Sequence, residues 1–171
     1  MGHREHRREG PRAVPCAVVT VSDTRKESTD RSGASIRAAL ARAGHPIVDY
    51  RIMRDERASI VRHLKRLARA GKARIVLITG GTGIASRDAT TEAVGRMIEK
   101  ELPGFGEIFR ALSYRRIGSS AMLSRAVAGI YRGLALFSMP GSEAAVRLAM
   151  RRLILPEITH VAGLLAKGRR R

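Results

Sequence analysis

The chain has 171 residues, of which 44% are hydrophobic and 28% are charged, and its formal net charge is +18. This composition excludes a disordered chain, and the length suits one domain with a core of its own. No apolar stretch reaches the length of a transmembrane helix, which argues against a membrane-spanning protein.

The basic excess suggests a nucleic-acid-binding protein as one alternative, because 33 Lys and Arg residues face only 15 Asp and Glu residues. However, the basic residues are mostly arginines spread over predicted helix faces. The chain has three Tyr, three Phe and no Trp, which leaves few rings for base stacking. We therefore expect a solvated basic surface that attracts anionic ligands rather than nucleic acid.

Both ends of the chain are polar and basic. Residues 1–12 (MGHREHRREGPR) show no apolar periodicity and are predicted to form a disordered arm, and residues 167–171 (KGRRR) a basic tail. A single domain over 13–166 lies between them. The only cysteine, Cys16, lies in an apolar run, so it is predicted to be a buried strand residue of a cytoplasmic protein.

Strand and helix patterns alternate along the domain. The predicted elements of its first half are a strand over 17–22, a helix with its apolar face over 36–43, a strand over 46–53, a helix with its apolar face over 60–68 and a strand over 74–79. This β-α-β-α-β order predicts a parallel sheet with helices packed on its faces.

The second half adds two predicted strands with a very short link. Its predicted elements are a helix over about 89–101, a helix from the Pro103 break to about 112, strands over 126–130 and 134–139, and a helix after 142. Only three residues separate the two strands, so they should form an antiparallel hairpin. The predicted fold class is α/β, a three-layer α/β/α sandwich with a mostly parallel mixed sheet and one antiparallel hairpin.

Polar loops follow the first three predicted strands. They contain Ser22 and Asp23, then Asp55, then the segment LITGGTGIASRDATT over 77–91. Loops at the carboxyl ends of parallel strands share one edge of the sheet, where such folds bind ligands. Carboxylates beside an anion-binding loop are what a magnesium–phosphate site requires, so this edge is the predicted site.

The glycine-rich segment does not match two familiar phosphate loops. A Walker A loop needs Lys followed by Ser or Thr after its last glycine, but Gly83 is followed by Ile84. A dinucleotide loop would need Gly or Ala where Ser86 stands. The segment can still bind an anion, because glycines let backbone N–H groups approach closely and the next helix start presents more of them.

Purely structural roles remain open for six polar residues of this region and the helices beside it. Asp88 and Asp55 each precede a predicted helix and could be N-caps. Ser22 and Asp23 could be turn residues, and Ser113 and Ser142 could be helix-end residues.

Six blocks together resemble the MoaB/MogA family of molybdenum cofactor biosynthesis proteins, and look closer to the MoaB branch. The blocks are TVSDTR (20–25), DRSG (30–33), VLITGGTGIASRDATTEAV (76–94), LPGFGEIFR (102–110), SRAVAGI (124–130) and MPGS (139–142). The resemblance covers about 14–165. It implies an adenylyltransferase, in which the terminal phosphate of molybdopterin attacks the α-phosphorus of ATP with Mg²⁺ as cofactor, giving adenylylated molybdopterin and pyrophosphate.

The resemblance also implies roles for individual residues. Asp55 and Asp88 would serve catalysis and hold Mg²⁺. The implied molybdopterin-binding residues are Ser22, Asp23, Gly80, Gly81, Thr82, Gly83 and Ser113, and the implied nucleotide-binding residues are Pro140, Gly141 and Ser142.

Two further expectations come from the family. The family forms trimers and, in its MoaB branch, hexamers. We therefore expect a homo-oligomer, either a trimer or a hexamer, with the hexamer preferred. Other cofactor biosynthesis proteins are the expected partners. A catalytically silent molybdopterin-binding protein is the main alternative, although this sequence keeps Asp55. A scaffold role lacks an additional domain to support it.

Overall fold

The computed structural model describes residues 10–86 and 88–168. Most of the predicted arm (1–12) and residues 169–171 of the predicted tail lie outside this range. The strands are β1 (Cys16–Val21), β2 (Ile47–Met53), β3 (Ile75–Thr79), β4 (Lys100–Glu101), β5 (Val127–Tyr131) and β6 (Leu134–Met139). The α-helices are α1 (Arg31–Arg42), α2 (Arg57–Ala70), α3 (Thr90–Met97), α4 (Pro103–Ile117), α5 (Glu143–Ala149) and α6 (Leu155–Gly168), and a π-helical turn (Met150–Ile154) joins the last two.

The strands form one mixed sheet in the order β2-β1-β3-β6-β5-β4. β1 pairs in parallel with β2 and β3, and β3 pairs in parallel with β6. β5 runs antiparallel to β6, as the hairpin prediction required, and also to β4. The fold class is therefore confirmed, with one additional antiparallel pair.

The β5–β6 hairpin closes through Arg132 and Gly133, whose φ angles are 47° and 77°. Two positive φ angles in a two-residue link match the twist of the flanking strands, which favours a tight antiparallel hairpin. Glycine adopts this conformation without the steric cost that Arg132 bears.

Two apolar layers cover the sheet, one on each face. α1, α4 and the α5–α6 segment pack on one face, against residues such as Val18, Leu77 and Phe137. α2 and α3 pack on the other, against Val19 and Val76. Alternate residues of each central strand point to opposite layers, so these strands are buried on both sides and their sequences are almost continuously apolar.

The helix predicted over about 89–101 is too long. It ends at Met97, where Ile98 is extended (φ −64°, ψ 121°). The backbone of Glu99 then donates to Ile130 (2.8 Å) and that of Leu102 to Ala128 (2.8 Å). These cross-strand bonds add β4 to the sheet edge, a long-range gain that local periodicity does not reveal. The next helix extends beyond the predicted 112, to Ile117.

Cys16 is fully buried in β1, as predicted, and its thiol lies 3.3 Å from the Val14 carbonyl oxygen. Burial raises the pKa of the thiol to about 12.

None of the helices in the described residues has the length and apolar character needed to cross a bilayer.

A substitution at Phe109 tests the packing of the apolar layer between α4 and the sheet. Phe109 is 1% exposed and stacks on Phe105, with ring centroids 6.2 Å apart. We expect Phe109→Ala to lower the free energy of unfolding by about 3–5 kcal/mol in urea denaturation, because it leaves a cavity. The neighbouring Ile108, 51% exposed, is the control. Equal losses for Phe109→Ala and Ile108→Ala would contradict this packing.

Candidate functional site

The carboxyl ends of β1, β2, β3 and β6 lie at one edge of the sheet, because these four strands are parallel. Ser22 and Asp23 follow β1, Asp55 follows β2, the glycine-rich segment follows β3, and residues 140–142 follow β6. The predicted edge therefore gathers the loops, and a fourth loop joins the three named from the sequence pattern alone.

The glycine-rich segment and the loop over 140–142 touch each other. The Gly80 N–H donates to the Met139 carbonyl (3.2 Å), and the Thr79 hydroxyl donates to the Pro140 carbonyl (3.1 Å). A Cβ on Gly141 would lie 3.1 Å from Gly80 Cα. The loop implied to bind molybdopterin and the loop implied to bind the nucleotide are therefore in direct contact.

Asp55 does not cap the helix that follows it, so that interpretation was wrong. The N-cap of α2 is Glu56, and it makes no side-chain capping bond. Instead, Asp55 Oδ1 accepts from the Ala89 N–H (3.1 Å) and the Thr90 hydroxyl (3.3 Å), at the start of α3. The Asp55 carboxylate therefore links the end of β2 to the glycine-rich segment.

Asp88 is not an N-cap either, since the N-cap of α3 is Ala89, which makes no side-chain capping bond. Asp88 Oδ2 accepts from the Ala85 N–H (3.0 Å), which folds the segment back on itself. The start of α3 also offers less to an anion than expected. The Ala89 N–H is bound by Asp55, and the Thr90 N–H donates to the Gly81 carbonyl (3.1 Å).

Two glycines of the segment make room for the two acids. Gly81 has φ +62°, and a Cβ there would collide with the Asp55 carboxylate and the Thr90 hydroxyl. A Cβ on Gly83 would press against the Asp88 carboxylate. Glycine at these positions thus admits carboxylates to the loop, a role that the sequence pattern alone did not suggest.

Asp23 and Asp88 both lie near Asp55 at this edge. The Asp55 N–H donates to Asp23 Oδ1 (3.2 Å). Partial burial raises the pKa of Asp55; hydrogen bonds from Ala89 and Thr90 lower it, and the nearby charges of Asp88 and Asp23 raise it further. Burial is therefore the main cause of the raised pKa of Asp55, and the negative charges of the two neighbouring acids add to it.

The hydroxyl candidates have separate roles. Ser22 Oγ accepts from the N–H groups of Thr24 (3.3 Å) and Arg25 (3.2 Å), which is a turn role. Ser142 Oγ caps α5 by accepting from the Ala145 N–H (3.2 Å). Thr82 is 6% exposed in the glycine-rich segment. Ser113 is also buried but lies within α4 rather than at its end, so the helix-end interpretation was wrong for it.

Arg25 holds the loop over 140–142 and was missed as a site residue. Its guanidinium donates to the Gly141 carbonyl (3.0 Å), which also accepts from the Ser32 hydroxyl (2.7 Å). Arg25 Nη1 lies 3.6 Å from the carboxylate of Asp30. The TVSDTR and DRSG blocks contain all three side chains, so their presence in the resemblance was the available signal.

Asp30 is the buried anchor of this contact, at 1% exposed. It accepts from the Thr20 hydroxyl (2.6 Å), the Tyr50 hydroxyl (2.8 Å) and the Gly33 N–H (2.9 Å), so its charge is well compensated. Burial and the bond to Asp30 raise the pKa of Tyr50 to about 12. This network fixes the start of α1 beneath the loop over 140–142.

Arg125 is the second residue that sequence reasoning missed. It lies just before β5, and its guanidinium donates to the Thr82 carbonyl (3.2 Å) and the Asp88 carbonyl (3.4 Å). It also pairs with the Glu92 carboxylate on α3. The SRAVAGI block contained Arg125, but only the folded structure brings it to the glycine-rich segment.

Comparisons with known proteins show which family this chain belongs to. The sequence profile of the family described as "Probable molybdopterin binding domain" matches residues 17–160. A molybdenum cofactor biosynthesis protein B of Halalkalibacterium halodurans is 50% identical over 170 residues, covering 99% of this chain and all of that protein. The chain therefore belongs to the MoaB/MogA family of molybdenum cofactor biosynthesis proteins.

Solved structures place it on the MoaB side of that family. A crystal structure of a molybdenum cofactor biosynthesis protein B superimposes with a TM-score of 0.89 at 48% identity, covering 92% of this chain and 98% of the other. The tungsten cofactor synthesizing protein MoaB from Pyrococcus furiosus gives a TM-score of 0.79 at 38% identity, covering 88% and 96%. The resemblance seen in the sequence blocks is confirmed.

An alanine substitution at Gly81 tests the close approach of the Asp55 carboxylate to the glycine-rich segment. We expect Gly81→Ala to lower the free energy of unfolding by about 1–3 kcal/mol, because it combines a positive φ with a clash against the carboxylate. Gly95→Ala is the matched control, since Gly95 lies in α3 with open space around it and should gain about 0.5–1 kcal/mol. Urea denaturation of both variants measures this, and a stabilised Gly81→Ala protein would contradict the geometry.

The raised pKa of Asp55 predicts a pH-dependent cost to stability. The folded protein holds this proton more tightly than the unfolded chain does, so stability falls as pH rises through the titration of Asp55. In the ligand-free protein we expect Asp55→Asn to be more favourable, relative to wild type, at pH 7 than at pH 4. Urea denaturation at both pH values measures this difference. A relative stability that falls as pH rises would contradict a raised pKa.

Proposed function

We propose that this protein is a molybdopterin adenylyltransferase that uses ATP and Mg²⁺ in molybdenum cofactor biosynthesis. The observation that carries the proposal is the meeting of Asp55 and Asp88 at the glycine-rich segment, where Gly81 and Gly83 leave room for their carboxylates. The loop over 140–142 touches the same segment, so two substrates could bind side by side.

The donor atoms at this edge fit Mg²⁺. Mg²⁺ prefers oxygen ligands and is commonly held by one or two carboxylates together with substrate phosphates and water. Asp55 and Asp88 supply two carboxylates, and the charges that raise the pKa of Asp55 favour a cation beside it. Within residues 10–86 and 88–168, no three acidic, His or Cys side chains form a metal-binding group of their own. When bound, Mg²⁺ would offset phosphate charge.

In the proposed reaction, a terminal phosphate oxygen of molybdopterin forms a bond to the α-phosphorus of ATP. The bond from the α-phosphorus to the bridging oxygen breaks, and pyrophosphate leaves with that oxygen and its electron pair. Such a transfer needs positioning and charge stabilisation rather than a protein nucleophile. The chain would supply both through the backbone of 80–83, the loop over 140–142 and its acids.

The chain's own residues would divide the work. The glycine-rich segment would bind the molybdopterin phosphate through backbone N–H groups, together with Ser22, Asp23, Thr82 and Ser113. Pro140, Gly141 and Ser142 would contact the nucleotide. Arg25 and Ser32, through the Gly141 carbonyl, would hold the nucleotide loop against the glycine-rich segment. Homo-oligomeric assembly and a cytoplasmic location stay predictions.

Incubating the protein with molybdopterin, ATP and Mg²⁺ tests this function. We expect mass spectrometry to detect adenylylated molybdopterin and a coupled assay to detect pyrophosphate. Asp88→Asn should lower the rate at least about 100-fold, because it removes a charge that acts at the reacting phosphates. Glu157→Gln, an acid-to-amide change on α6, should leave the rate unchanged.

Two results would count against the proposal. Tight molybdopterin binding with no product from wild type would favour the catalytically silent alternative. An Asp88→Asn protein that is folded and fully active would remove Asp88 from the mechanism.

A further inference from the structure

The side chain of Arg125 connects the glycine-rich segment to the sheet. Nε donates to the Thr82 carbonyl (3.2 Å) and Nη2 to the Asp88 carbonyl (3.4 Å), so one guanidinium holds both halves of the segment. The Arg125 carbonyl in turn accepts from the Thr91 hydroxyl (3.4 Å) on α3. Arg125 therefore contacts the glycine-rich segment at two points, Thr82 and Asp88.

Arg125 lies just before a largely buried strand. The next residue, Ala126, is 5% exposed, and β5 begins at Val127. Its charge is matched by Glu92, whose two carboxylate oxygens face Nη1 and Nη2 of the guanidinium. The bond to Arg125 lowers the pKa of Glu92, so the pair remains ionised at neutral pH. Planar guanidinium forks suit such bidentate contacts, whereas lysine offers only a point charge.

We propose that Arg125 is a positioning residue that holds Asp88 at the site through the backbone of the glycine-rich segment, with Glu92 fixing its orientation. The catalytic part of this inference rests on the proposed adenylylation. The structural part does not, since it concerns the ligand-free loop. Arg125 would act through Asp88, and it touches the loop carbonyls rather than the reacting atoms.

Hydrogen exchange of the ligand-free protein tests the structural part. We expect the hydrogen-bonded amides of Ala85, Asp88, Ala89 and Thr90 to exchange at least about tenfold faster in Arg125→Lys, because the loss of the two carbonyl contacts lets the segment open locally. Glu92→Gln should give a smaller increase, since the arginine remains but loses its charged partner. Arg69→Lys, an exposed arginine on α2, is the control and should match wild type.

The exchange result decides the proposal in either direction. Exchange in Arg125→Lys equal to that of Arg69→Lys would overturn it. Faster exchange throughout the molecule would also overturn it, because it would show a general loss of stability instead of a local release.

A double-mutant cycle tests the link to Asp88. If Arg125 acts through Asp88, Arg125→Lys should lower kcat/KM about tenfold in the wild-type background and have little further effect in Asp88→Asn. Equal losses in both backgrounds would separate Arg125 from Asp88 and overturn the positioning role. If wild-type protein makes no product, adenylylation fails as the function, while hydrogen exchange still decides whether Arg125 holds the loop.

Discussion

The hydrogen bond from the Ala89 N–H to the Asp55 carboxylate is the contact on which the site depends. It joins the end of β2, an outer strand of the sheet, to the start of α3, which is distant in sequence. It brings Asp55 within reach of the charges of Asp88 and Asp23, and it leaves room at position 81 only for glycine. The negative charges of these acids lie close together as a result, and the proposed Mg²⁺ binding depends on that arrangement.

The two loops that flank these acids are each held by an arginine through backbone carbonyls. Arg25 holds Gly141, and Arg125 holds Thr82 and Asp88. These contacts use carbonyl oxygens, so they fix the path of the backbone without occupying any N–H group of the two loops. Each arginine is compensated by a carboxylate, so neither adds unbalanced positive charge to the loop that it holds.

Much of this architecture could be predicted from the sequence, because apolar runs and glycine breaks define the strands and the helix ends. The shared edge of the loops followed from the parallel order. The length of α3 and the strand β4 could not be predicted, since cross-strand bonds to Ile130 and Ala128 override local helix periodicity. The hydrogen-bond partners of Asp55 and Asp88 could not be predicted either, because Asp is a preferred N-cap residue and each precedes a helix. Arg125 was visible only as part of a block, since its contacts span about 40 positions of the chain.

A crystal structure with Mg²⁺ and an ATP analogue that cannot be cleaved between its α- and β-phosphates would test the central claim most directly. The account predicts that the phosphates lie between the glycine-rich segment and the loop over 140–142, with the metal bound by Asp55, Asp88 or both. A nucleotide bound elsewhere on the protein, or a metal with neither carboxylate among its ligands, would contradict it.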